Sequence, residues 1–158
     1  MSNATSASGN AWARTLEEAT TMADDLRADG WEVVTVRAGH VAPEPPGHGD
    51  TGRFGFVYLA QGDDAAGVER AVNSGTFDAY AVFSRQEGTS KFIVTRVTDR
   101  DRRLAVLLVG TVNLADASAL AAAAHEREVM YSHVALLDGT HLAAFRHDDP
   151  ADFLPEDA

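Results

Sequence analysis

Apolar residues first recur at helical spacing: Leu16, Ala19, Ala23 and Leu26, with Met22 beside them, form one stripe. Thr15-Leu16-Glu17-Glu18 has the form of a capping box, so a helix is expected to start near Thr15. Asp29-Gly30 should end it, with Gly30 in a left-handed cap. Residues 1–11, rich in Ser, Ala and Asn, are expected to be a disordered tail ahead of it. The period then changes to two. Residues 31–37 place Trp31, Val33 and Thr35 on one face and Val34 and Val36 on the other, as in a strand.

The segment from Gly39 to Gly52 holds Pro43, Pro45 and Pro46 among glycines and is expected to be a long loop. A strand over 53–59 alternates Phe54, Phe56 and Tyr58, and a helix over 64–74 would bury Ala65, Val68, Ala71 and Val72. Residues 79–85 and 91–97 read as a hairpin turning at Glu87-Gly88, which would set Phe83 opposite Phe92 and Ala81 opposite Val94. Residues 104–112 are apolar on both faces and should form the most buried strand. Asn113 caps a third, Ala-rich helix reaching Arg127. A final hairpin turns at Asp138-Gly139, and Asp149-Pro150 ends it, with Phe153 and Leu154 expected to anchor the acidic tail. The order α-β-β-α-β-β-β-α-β-β implies an α+β fold: one domain over 12–154, about three helices, a largely antiparallel sheet, and an acidic tail at 155–158.

Composition narrows the setting. The 158 residues include no cysteine, which excludes disulfides, thiolate metal sites and a cysteine nucleophile. Twenty-four acidic residues against 13 basic ones give a formal charge of -11. Lys91 is the only lysine and Ile93 the only isoleucine, beside many Asp, Ala and Arg. A GC-rich genome and a life in molar salt together account for that bias, because strong salt screens like charges that repel in dilute buffer. The first ten residues lack the basic start and apolar run of an export signal, and the longest apolar run, 104–109, is too short to span a bilayer. A halophilic cytoplasmic protein is therefore expected. Arg100, Arg102 and Arg103 are interleaved with Asp99 and Asp101, so neither nucleic acid nor an anionic membrane is an expected partner.

Three stretches carry a resemblance. They are residues 27–34 with Gly39-His40-Val41, then Phe77-Asp78-Ala79-Tyr80-Ala81-Val82-Phe83, and finally Phe145-Arg146-His147-Asp148-Asp149-Pro150. In order and spacing, over roughly residues 15–154, the chain resembles a family of uncharacterised haloarchaeal proteins, a domain of unknown function. The resemblance implies a haloarchaeal origin and carries no catalytic residues.

Candidate chemistry is sparse. The chain has no Walker loop, no Gly-x-Gly-x-x-Gly after a strand and no Gly-x-Ser-x-Gly elbow. His40, His48 and Asp50 lie within the Pro/Gly loop, where they would either gather a divalent metal or remain solvated. If Leu137 pairs with Thr140, Tyr131 faces Arg146, with His133 diagonal to it on the same face. These three would form an anion or carboxylate grip, or simply cover the outer face of the sheet. The expected function is a non-enzymatic binding or regulatory domain, without cofactor, pairing with itself as a homodimer or with another protein. The alternatives are a small metal-dependent hydrolase built on His40, His48, Asp50 or the His133 group, and a small-molecule sensor with a pocket lined by Tyr58, Tyr80, Phe83 or Phe92.

Overall fold

The computed structural model describes residues 3–47 and 54–155, and only the backbone of residues 3–8. Helix α1 spans Asn3–Ala28, so it begins well before Thr15 and takes up residues 3–11, which were expected as a tail. The capping box is not made. Thr15 lies inside the helix, where its Oγ1 donates to the carbonyl of Ala11 at 2.7 Å, one turn back. The far end behaves as expected. Gly30 adopts φ 89°, its N–H donates to Arg27 at 3.0 Å, and Trp31 N–H reaches back to Leu26 at 3.0 Å, which together satisfy the last helical carbonyls.

The expected α+β class holds, and the element order holds apart from one additional strand. The strands are β1 (Glu32–Ala38), β2 (Ala42–Glu44), β3 (Gly55–Leu59), β4 (Ala79–Glu87), β5 (Ser90–Asp99), β6 (Leu104–Asn113), β7 (Met130–Ala135) and β8 (His141–His147). Helix α2 is Gly62–Ser74 and α3 is Ser118–Arg127. The short β2 lies in the segment read as loop, paired antiparallel to β3 despite Pro43. Instead of one sheet there are two four-stranded sheets, β1-β6-β5-β4 and β2-β3-β7-β8. Each is antiparallel except for one parallel pair, β1 with β6 and β3 with β7.

The β4–β5 turn falls at Gly88-Thr89, not at Glu87-Gly88, so Phe83 faces Val94 and Ala81 faces Arg96. Gly88 has φ 61°, and a two-residue turn of this type needs positive φ at its first central residue, a position Glu87 would occupy at a cost. Asn113 does cap, but it caps a 3-10 turn over Leu114–Asp116, its side chain accepting from Ala115 N–H at 3.0 Å before α3 begins.

The two sheets share one core. Val36, Ile93, Val97, Val106 and Leu108 come from the first; Phe56, Tyr58, Met130, Val134 and Phe145 come from the second. Helices α2 and α3 add Ala65, Val68, Leu120 and Ala124 to it. The opposite face of the first sheet is covered by α1, through Trp12, Leu16, Ala19 and Met22 against Val94 and Val109. Phe153 and Leu154 are fully buried, as the sequence suggested, and their segment is tied down by Lys91, whose Nζ donates to the carbonyl of Phe153 at 2.7 Å.

Candidate functional site

Strands β7 and β8 present alternate residues to opposite faces. Met130, Ser132 and Val134 point into the core, so Tyr131 and His133 point outward. The pairing is the expected one at the far end of the hairpin: Tyr131 faces Arg146 and Met130 faces His147. Arg146 Nη1 donates to the Tyr131 hydroxyl at 3.2 Å, and Arg146 Nε donates to Asp148 at 3.2 Å. These contacts raise the pKa of Arg146 further. The ring of His133 stacks on Tyr131 with centroids 5.9 Å apart. Tyr131, His133 and Arg146 are therefore brought together on one sheet face.

A residue absent from that expected group joins it. The β7–β8 register shifts between Val134 and Ala135, so Ala135 pairs with His141. This bulge turns His141 onto the face that carries His133, which strict alternation would deny it. His133 Nδ1 and His141 Nε2 stand 3.2 Å apart, and His133 Nε2 lies 3.1 Å from the carbonyl oxygen of Phe54. His133 is only 8% exposed, while His141 is exposed. Phe54 continues the patch, edge-on to Tyr131 and under the Arg127 guanidinium at 5.2 Å. The bulge has no turn signal of its own in the sequence, because Leu142-Ala143 reads as ordinary strand.

On the inner face His147 is fully buried. Its Nε2 lies 2.8 Å from Ser132 Oγ, and the rings of Tyr80 and Phe153 each lie 4.5 Å from it. Its Nδ1 has no hydrogen-bond partner. Burial pushes its pKa down to about 4, only partly opposed by Asp148, so the ring is neutral at physiological pH. Ser132 is equally buried, so the pair is closed to substrate.

His40 is exposed just beyond β1, and His48 and Asp50 lie outside the described residues. Among the described residues, no group of three or more His, Asp or Glu side chains is arranged to hold a metal ion. The proposed sensor pocket does not form from its four aromatics. Phe83 and Phe92 point to the α1 side of the first sheet, whereas Tyr58 and Tyr80 belong to the core between the sheets.

The sheet edges differ sharply. A groove of about 530 Å³ runs between α1, β1 and α2 along the edge of β1, and Arg27 Nη2 occupies the carbonyl of Val33 there at 3.2 Å. Edge β2 is three residues long and contains Pro43, and edge β8 carries the bulge. Edge β4 is nine residues long, with neither proline nor register break, and Phe83 at its centre is 40% exposed.

Fold and site define an α+β protein of two packed mixed sheets, one of which bears an aromatic, histidine and arginine patch on its outer face. The chain belongs to a family of unknown function, DUF7529, which it matches over residues 1–155. No curated protein and no solved structure matches it. Among the described residues, no helix is long and apolar enough to cross a membrane.

Proposed function

We propose that the chain is a non-enzymatic binding or regulatory module that works as a homodimer in a halophilic, haloarchaeal cytoplasm. The observation that carries the reading is edge β4. An open strand of this length offers a row of unpaired backbone groups to any other strand. The other three edges are shortened, bulged or flanked by helices, whereas β4 is long and unbroken, with α1 reaching it at Arg85, which pairs with Glu18 at 2.9 Å. Antiparallel pairing of β4 with its own copy would centre on Phe83, setting the two exposed rings opposite each other across the two-fold axis. The formal charge of -11 on each chain supports molar salt as the setting in which two such surfaces approach. The outer face with Tyr131, His133 and Arg146 is the module's ligand surface in this reading, which the contact of Arg146 with the Asp148 carboxylate at 3.2 Å supports.

Sedimentation equilibrium in molar KCl tests the dimer. Wild type is expected to be dimeric at micromolar concentration. Phe83→Asp, which sets two carboxylates opposite each other, should weaken association at least tenfold. A monomeric wild type, or a variant that associates as tightly as wild type, refutes pairing through β4.

A further inference from the structure

We infer that His133 and His141 form a two-imidazole site for a borderline divalent metal ion, of the class of Zn²⁺, Ni²⁺ or Cu²⁺. The argument starts from the protons. The carbonyl of Phe54 can only accept, so His133 Nε2, at 3.1 Å from it, carries the ring's hydrogen. In the neutral ring this leaves the lone pair on Nδ1, and Nδ1 is the atom that faces His141 Nε2 at 3.2 Å. Without a metal, one proton on His141 fills the space between the two nitrogens. A metal ion can take the place of that proton.

The spacing suits this exchange. Two imidazole nitrogens bound at about 2.0–2.1 Å to one tetrahedral ion stand about 3.3 Å apart. The backbone bond from His133 to Phe54 is also the outer hydrogen bond that metal-bound histidines generally make, fixing the tautomer and the ring plane in advance. The bulge supplies the second ligand, and the exposure of His141 leaves the remaining coordination positions to water. Imidazole donors favour these ions over Mg²⁺ or Ca²⁺, which take oxygen. Arg146, a cation on this face, already holds Asp148 at 3.2 Å, which offsets its repulsion of an incoming ion. The site is independent of β4 and of the dimer.

Calorimetric titration of Ni²⁺ and Zn²⁺ into the untagged full chain, at mildly alkaline pH in molar KCl, tests the site. One ion per chain is expected. His141→Gln, at an exposed position, should lower the affinity at least tenfold, and His40→Gln should leave it unchanged. Absence of binding, or loss in His40→Gln with none in His141→Gln, overturns the site. A Cu²⁺ electron paramagnetic resonance spectrum of the wild type makes the test independent of any variant's folding. Two coordinated imidazole nitrogens are expected, and one or none overturns the assignment.

Discussion

Among the described residues, His147 is one whose chemistry departs far from its ordinary behaviour. Protonation would place a charged ring between Tyr80 and Phe153, with an Nδ1–H that has no acceptor. The folded chain therefore resists protonation until about pH 4, whereas the unfolded chain takes up the proton near 6.5. Between those values the unfolded state binds more protons, so acid favours unfolding. The stability contributed by the neutral ring is fully present above pH 6.5 and falls as pH drops, levelling off near 4. The full loss is about 3 kcal/mol at 1.36 kcal/mol per pKa unit. The double variant Ser132→Ala with His147→Phe removes both polar partners without orphaning either. Denaturation of wild type and double variant across this range should show the variant losing about 3 kcal/mol less. Parallel pH profiles would show that His147 stays solvated in its folded state. Lys91 illustrates a related point about composition: the chain's single lysine sits where a compact ammonium reaches the carbonyls of Asp152 and Phe153, at 3.3 and 2.7 Å.

At the scale of elements, the joint between the two sheets rests on one glycine. Gly110 lies in β6 opposite Ile93 and Ala38. After β1 the chain folds over this point, and Val41 N–H donates to Thr111 at 2.9 Å as it crosses to the second sheet. A Cβ on Gly110 would collide with Val41 and approach the Ala38 carbonyl oxygen at 2.9 Å and the Tyr58 ring at 3.2 Å. Gly110→Ala should therefore destabilise by about 1–3 kcal/mol, as overpacking does. Gly39→Ala, with nothing within 4 Å, should be close to neutral. Equal denaturation midpoints for the two variants would contradict this crossing. The glycine also explains what the sequence could reveal. Period-two and helical patterns located nearly every element, because each pattern reflects which face is buried. The division into two sheets depends on long-range pairing, such as β1 with β6 and β3 with β7, which no local pattern encodes. Of the site, Tyr131 opposite Arg146 followed from a two-residue Asp138-Gly139 turn, but His141 did not, because a bulge inverts the alternation on which such reasoning depends. The early start of α1 was hidden for another reason: Ala11, within the helix, is fully buried, yet a run of Ser, Ala and Asn reads as tail unless the sheet that α1 covers is known.

For the whole molecule, charge decides the conditions under which these contacts hold. Four ion pairs are found among the described residues, and three involve carboxylates more than half exposed, so local pairing does little to offset a formal charge of -11. The fourth is Arg102 with the buried Asp99, which also accepts from Thr76 N–H at 2.8 Å; that backbone bond, more than the arginine, holds the Asp99 carboxyl below its usual range. Self-repulsion among the remaining carboxylates acts over about 10 Å at 0.1 M salt and only about 3 Å at 1 M. The folded chain concentrates those charges more than the unfolded chain does, so added KCl should stabilise it. The unfolding midpoint is expected to climb steeply between 0.1 M and 1 M KCl and more slowly beyond, once screening is nearly complete. Sucrose at matched water activity distinguishes screening from general solute exclusion, since exclusion strengthens burial without touching charge. If sucrose reproduced the KCl curve, the acidic surface would not be the cause. If KCl alone raised the midpoint, the same screening would be what allows two such chains to meet along β4.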